Sequence, residues 1–324
     1  MKRKILLIDF WGLGDLVLAS GALHELVKLG YEVGVLTKPL SKALTVRTFP
    51  GVHWHTVNIP WTAHQGKYRL HEWNWKELAE VISEIRGQSY DYSISIRKDP
   101  REDFIPWLAG ITQVYGFRRW SWWSLINKPA QIIEGGHRVE LWQSVLLELT
   151  GRRLTCQPSL LAPPAEPSQR LLIHVGASVK VRRWFLSQWQ ELINQLQSTY
   201  NYPVEVVADL DGFGSGLQAD YVYQGQSLEL MTALLGSSLL VIGNDSGPTH
   251  IAASYGVPTV TVFGPQKTEY FRPWSERAFV VEGGDCPYKP CSDYCRWSSP
   301  KCLEAVTVSE VLAQVGRAMK HVEK

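Results

Sequence analysis

Residues 239–263 restrict the fold more than any other stretch. Leu239-Leu240-Val241-Ile242-Gly243 is an apolar run short enough for a buried strand. It breaks at the polar turn Asn244-Asp245-Ser246-Gly247 and resumes as an Ala- and Ile-rich helix. Gly256 and Pro258 stop that helix, and Thr259 to Phe263 reads as the next strand. Strand, tight turn, helix and strand together imply a parallel sheet. The turn aims the helix's free N–H groups at the end of the sheet, which makes an anion site. Asp245, Ser246, Gly247, Thr249 and His250 lie on this turn or the first helical turn. Asp245 or Ser246 serves equally well as an ordinary N-cap.

The chain opens on the same pattern. Lys4 to Phe10 reads as a strand, Trp11-Gly12-Leu13-Gly14-Asp15 as a turn, and Leu16 to Leu29 as a helix. Leu16, Ala19, Leu23, Leu26 and Val27 form its apolar stripe, Gly30 closes it, and Tyr31 to Thr37 is the next strand. The glycine pair is a poor dinucleotide fingerprint, because Val17 stands at the third glycine position and no P-loop Lys-Ser/Thr pair follows. Asp15 is expected as the N-cap of this helix, at the sheet edge where α/β folds bind ligands. The helix N-terminus favours its ionised form, so it is an available acceptor for a substrate hydroxyl's proton.

A chain of 324 residues exceeds one ordinary core, and Leu161 to Ser168 carries three prolines in five residues. The expected organisation is residues 1–162, a linker at 163–168, and residues 169–324. Net charge is +2, so nothing global points to nucleic acid. No apolar run approaches the roughly 20 residues that span a bilayer. The apolar start, Ile5 to Ile8, is cut off by Asp9 and Gly12 and is too short for a signal peptide. A cytoplasmic protein is expected.

The second half begins as the first does. Arg170 to Val175 reads as a strand and Gly176-Ala177-Ser178 as a small-residue turn, followed by Lys180, Arg182 and Arg183. Backbone N–H groups, a hydroxyl and cations in this order suit a diphosphate. Ser187 and Gln190 are expected as a capping box, with Trp189, Leu192, Ile193 and Leu196 facing inward. Asp209 and Asp211 fit either a metal on a diphosphate or plain turn chemistry.

Two segments combine tryptophan with basic residues: Trp61 to Trp75, with His64, Lys67, Arg69 and His71, and Arg118 to Trp123, with Arg119. Rings stack on sugar faces and cations pair with phosphates; alternatively the tryptophans cover a small satellite core. His53 to Ile59 and Tyr90 to Arg97 read as strands, and Lys76 to Arg86 and His137 to Leu149 as helices. Near the end, Cys286, Cys291, Cys295 and Cys302 follow C-x4-C-x3-C-x6-C. In a cytoplasmic protein this argues against disulfides. Four thiolates can hold a tetrahedral Zn or Fe, or they are simply spare thiols.

Several of these pieces coincide with one family. Gly12-Leu13-Gly14-Asp15 resembles the Leu-Gly-Asp turn of glycosyltransferase family 9, the ADP-heptose:lipopolysaccharide heptosyltransferases. His174-Val175-Gly176-Ala177-Ser178 with Arg182-Arg183-Trp184 is similar to the family's His-Pro-Gly-Ala-Ser and Lys/Arg-Trp segments, with Val175 in place of proline. Asn244 to His250 with Phe263-Gly264-Pro265 resembles its most specific signature, and the cysteines resemble a cluster seen in many members. The resemblance implies an α/β, GT-B fold of two Rossmann-like domains with parallel sheets facing across a cleft. It implies inverting, metal-independent transfer of a sugar, a heptose from ADP-heptose, onto a lipopolysaccharide core or related surface glycan. The N-terminal domain would bind the acceptor through Gly14, Trp61, Lys67, Arg69, Arg118 and Arg119, with Asp15 as base. The C-terminal domain would bind the nucleotide sugar through Gly176, Ala177, Ser178, Lys180, Arg182, Asp245, Ser246, Gly247 and His250. Catalysis would need no cofactor, any Zn or Fe on the cysteines would be structural, and Asp209 and Asp211 become turn residues. A lipid-linked acceptor would bring peripheral contact with the inner membrane. A same-fold transferase with another donor or acceptor, an epimerase or phosphorylase, and a non-catalytic nucleotide-sugar binder are the alternatives.

Overall fold

The structure is a computed structural model that describes residues 2–62, 73–118, 124–291 and 294–322. It divides into two compact units, Met1–Pro158 and Ser159–Lys324.

In the first unit β1 (Lys4–Ile8), α1 (Leu13–Lys28), β2 (Glu32–Thr37), α2 (Pro39–Thr45), β3 (His53–Thr56) and α3 (Trp75–Gln88) come first. Then follow β4 (Tyr92–Ile94), α4 (Pro100–Leu108), β5 (Gln113–Gly116), β6 (Lys128–Pro129) and α5 (Arg138–Thr150). The sheet order is β3-β2-β1-β4-β5-β6, every pair parallel. Ile5 to Ile8 are buried on both faces, as a central parallel strand covered by helices requires. α1 starts earlier than the sequence suggests. Gly12, in extended conformation, is the N-cap and Asp15 sits in the first turn. The Asp15 carboxylate turns back to accept the Gly12 N–H at 3.2 Å, so it satisfies a helix-start donor from inside the helix and not from the cap position. At the other end Gly30, at φ +83, takes the left-handed conformation that ends the helix. α4 escapes a sequence reading because Pro106 lies inside it, although Asp99 caps it and Pro100 occupies its first turn.

The second unit runs β7 (Leu171–His174), α6 (Leu186–Thr199), β8 (Val204–Val207), β9 (Tyr221–Tyr223), α7 (Leu228–Ser237) and β10 (Leu240–Asn244). It continues α8 (Gly247–Ser254), β11 (Thr259–Phe263), α9 (Thr268–Phe271), β12 (Ala278–Glu282), α10 (Lys301–Glu304) and α11 (Val308–Met319). Its sheet order, β12-β11-β10-β7-β8-β9, is again all parallel. The expected inward face of α6 is the buried one: Trp189, Leu192, Ile193 and Leu196. Each such side chain contributes roughly 1.5–3 kcal/mol by leaving water. The Ser187–Gln190 capping box does not form. Phe185 is the N-cap, and the Gln190 side chain bonds instead to Asn194 and to the backbone of Gln218. α11 covers the same core with Val308, Val311, Val315 and Met319. The proline-rich stretch lies along this unit, with Leu160 N–H donating to Ser254 and Ser168 N–H to Ser237.

Candidate active site

The second unit brings two strand-to-helix turns together at the C-terminal ends of β7 and β10. Asn244, fully buried, joins them. Its Nδ2 donates to the Val175 carbonyl at 2.7 Å, and its Oδ1 accepts the Trp184 N–H at 3.0 Å. Gly176 has no room for a side chain, since a Cβ there would stand 2.7 Å from the Asp209 carboxyl. The same carboxylate accepts the Ala177 N–H at 3.0 Å. Ser178 and Lys180 are exposed beyond this turn.

The three cations after β7 divide their roles. Arg183 is committed to Asp209 at 2.7 Å and Asp211 at 2.8 Å, with its Nε on the Ala177 carbonyl. The two aspartates therefore hold a guanidinium that shapes the turn. Arg182 turns the other way, and its Nη1 lies 3.4 Å from Oδ2 of Asp245. Asp245 is 3% exposed and His250 6%, so both are set into the wall at the start of α8. Ser246 holds the N-cap position of α8 without a side-chain bond of its own. Thr249 Oγ1 instead donates to the Ser246 carbonyl at 2.9 Å. The Ser246 side chain thus does not take up the helix-start N–H groups. His174 is pushed down to about 4 by burial, so it stays neutral near pH 7 and adds no charge for an anion.

In the first unit the end of β1 carries Asp9, Trp11, Gly12, Gly14 and Asp15. Asp15 is about one quarter exposed, and its Oδ1 lies 3.7 Å from Nε of Arg138, the first residue of α5. The Arg138 guanidinium sits over the Trp11 ring, 3.3 Å from its centroid. Asp9 is buried and pushed up to about 7, first by burial and then by the charge of Asp15, while Arg138 and Arg97 pull it down. Arg97 bonds Glu102 at 2.5 Å. Burial also lowers the Lys38 ammonium, which lies at the end of β2. The sheet edge thus gathers carboxylates and cations drawn from four segments of this unit. Sequence reasoning found Asp15 and missed Arg138, Arg97 and Lys38, which no local motif connects to it.

A family description, glycosyltransferase family 9 (heptosyltransferase), matches residues 222–299, the stretch that carries β10, the Asp245 turn and α8. Lipopolysaccharide heptosyltransferase 3 of Escherichia coli is 26% identical over 269 residues, covering 74% of this chain and 78% of its own length. The chain is similar to glycosyltransferase family 9 over residues 222–299, and more distantly to lipopolysaccharide heptosyltransferases over most of its length. Solved structures agree on the fold of this glycosyltransferase. An E. coli heptosyltransferase solved with ADP superposes with a TM-score of 0.75 at 15% identity, covering 98% of this chain and 100% of that one. A family 9 glycosyltransferase from Veillonella parvula gives 0.76 at 16% identity, covering 99% and 98%. The α/β, GT-B class expected from the sequence is the fold observed.

Other residues of the enzyme singled out from its sequence fall in varied places. Trp61 is 5% exposed and packs in the first unit's core. Its ring meets Trp73 at 5.2 Å and the Arg101 guanidinium at 5.7 Å, so Trp61 builds the satellite core and does not offer a face to a sugar. Arg118 is exposed and donates to the Ile126 carbonyl at 3.2 Å. Lys67, Arg69 and Arg119 lie outside the described residues, as do His64, His71 and Trp120 to Trp123. All five cysteines are free. Burial raises the Cys291 and Cys302 thiols, and Cys286 and Cys295 act on both in the same direction. Among the described residues, no three His, Cys, Asp or Glu stand together as a metal-binding group. Among the described residues, too, no helix is long and apolar enough to cross a membrane.

Proposed function

We propose that this glycosyltransferase moves a heptose from ADP-heptose onto a lipopolysaccharide core or a related lipid-linked surface glycan, with inversion and without a catalytic metal. The observation that carries this is the pair of turns joined by Asn244, with Arg182 and the start of α8 beside them. Donors of this kind suit a diphosphate leaving group without a metal. Family relatives named as lipopolysaccharide heptosyltransferases, and a similar structure solved with ADP, support the donor and acceptor class.

In the transfer step Asp15 takes the proton of an acceptor hydroxyl. The hydroxyl oxygen bonds to the anomeric carbon as the bond from that carbon to the β-phosphate oxygen breaks. The electron pair leaves with ADP, whose charge is met by Arg182, Lys180 and the N–H groups at Ser246 and Gly247. One displacement at one carbon inverts the configuration. Gly14 and Arg118 are assigned to the acceptor side, and a lipid-linked acceptor would bring peripheral contact with the inner membrane. Any Zn or Fe on Cys286, Cys291, Cys295 and Cys302 is structural, and no step passes through it.

The test is a panel of ADP-heptose, UDP-glucose and GDP-mannose offered with lipopolysaccharides truncated at different points of the core, read by mass spectrometry. A gain of one heptose, from ADP-heptose alone, is expected. Transfer from a different nucleotide sugar, or donor binding without transfer to any acceptor, would overturn the assignment.

A further inference from the structure

The Asp15 carboxylate has a hydrogen bond at one oxygen and a guanidinium within ion-pair distance of the other. Oδ2 accepts the Gly12 N–H at 3.2 Å, and Oδ1 faces Arg138 Nε at 3.7 Å. About a quarter of the side chain stays open. The guanidinium that faces Oδ1 is itself supported, because it sits over the Trp11 ring, 3.3 Å from its centroid. Trp11 belongs to the turn just before α1, so ring, guanidinium and carboxylate form one layered set at the start of that helix. The root of Arg138 is fixed too. The preceding His137 caps α5, accepting the Val139 N–H at 3.2 Å and donating its own N–H to Glu140 at 2.6 Å. Arg97 reaches the same Trp11 ring only at 5.5 Å and is tied to Glu102 at 2.5 Å.

We propose that Arg138 is a positioning residue for sugar transfer, one that uses its stack on Trp11 to hold Asp15 aimed as the base. This rests on the assignment of Asp15 in the proposed transfer. A base must meet its proton in a narrow range of positions, and a misplacement near 1 Å can cost roughly 100-fold. A planar guanidinium can lie on a ring and present Nε edge-on to a carboxylate, whereas a lysine ammonium cannot do both. The charged groups that meet at this edge are Asp9 after β1, Lys38 after β2, Arg97 after β4, Glu102 on α4 and Arg138 on α5. Without Arg138, Asp9 loses one of the cations that pull it down, so it holds its proton to higher pH.

Arg138→Gln, Arg138→Lys and Trp11→Leu test this in the full chain. The Asp9 carboxyl is followed by ¹³C NMR of protein labelled at the aspartate carboxyl carbon, its signal assigned by its loss in Asp9→Asn. In parallel, kcat is measured against pH with ADP-heptose saturating and core-truncated lipopolysaccharide as acceptor. In Arg138→Gln the Asp9 titration is expected to move above its parent position, and the acid limb of kcat to move the same way. The value of kcat should fall roughly 10- to 100-fold with donor affinity unchanged. Arg138→Lys should restore the titration but only part of kcat. An Asp9 titration that overlays the parent, or a kcat profile merely scaled down with its acid limb in place, would overturn the proposal. If Arg138→Gln does not fold, the other two variants decide: a parent-level kcat in either rejects it, and lowered kcat with unchanged donor affinity in both upholds it. Failure of the transfer assignment shows differently, as no transfer by the parent protein, and leaves the NMR comparison intact.

Discussion

Arg182 points its Nη1 at Oδ2 of Asp245, 3.4 Å away, and so links the turn after β7 to the turn before α8. The cation is about one quarter exposed and the carboxylate almost fully buried. This geometry holds a guanidinium at the mouth of a helix N-terminus before any anion arrives, and a diphosphate there needs little rearrangement of the protein.

Arg182→Ala should therefore weaken ADP-heptose binding by roughly 1.5–3 kcal/mol, the range for a hydrogen bond to a charged group. Isothermal titration calorimetry reads this directly. Unchanged affinity would remove Arg182 from the donor site.

Asn244→Ala removes the donor to the Val175 carbonyl and the acceptor of the Trp184 N–H, both in the interior. Each buried group left without a partner costs roughly 1–3 kcal/mol. A lower melting temperature and weaker donor binding are expected together. A variant that melts like the parent would show that water or a shifted backbone replaces the side chain.

The core and the two central turns could be read from residues alone. The stripe Trp189, Leu192, Ile193 and Leu196 keeps helical spacing, and Leu239 to Phe263 carries its own turn and stop signals. What escaped was set by contacts between distant parts of the chain. Nothing near Arg138 says that it meets Asp15, and nothing near Asn244 says that its amide closes on Val175 and Trp184. α4 was hidden because Pro106 reads as a breaker, while tertiary packing keeps the helix going around it. Asp15 is legible as a helix-start residue but its position in the helix is not, because Gly12 takes the N-cap position and leaves the carboxylate to reach back from the first turn.

Asp103 on α4 gives a test in pH. It is buried, and burial followed by the charge of Asp99 pushes it up to about 7. The folded state therefore binds a proton that the unfolded chain releases near pH 4. The stability this contributes is complete at low pH and is lost as pH rises from about 4 to about 7. Asp103→Asn should remove this decline, so urea denaturation at pH 5 and pH 8 should show a smaller difference for the variant than for the parent. An equal difference in both proteins would mean that Asp103 ionises freely.

The cysteines are settled by elemental analysis of protein purified without chelator. If the four thiolates share a metal, about one Zn or Fe per chain is expected, the stoichiometry of a four-thiolate site. Four freely titrating thiols with no metal would leave Cys286, Cys291, Cys295 and Cys302 as plain thiols. Since four thiolates leave no open coordination position, stripping the metal should lower the melting temperature and spare the chemistry of any molecule still folded.

Asp15→Asn tests the central claim most directly. Asparagine keeps the shape and can still accept the Gly12 N–H, so the melting temperature should stay near the parent value. Donor affinity should hold as well, because the diphosphate donors all belong to the second unit. The measurement is the rate of heptose transfer with ADP-heptose saturating, made alongside both controls. A fall of roughly 10²–10⁴-fold, the usual contribution of a positioned base, is expected. A variant that melts normally, binds ADP-heptose normally and still transfers at near the parent rate would contradict it and leave Asp15 with only its hydrogen bond at the start of α1.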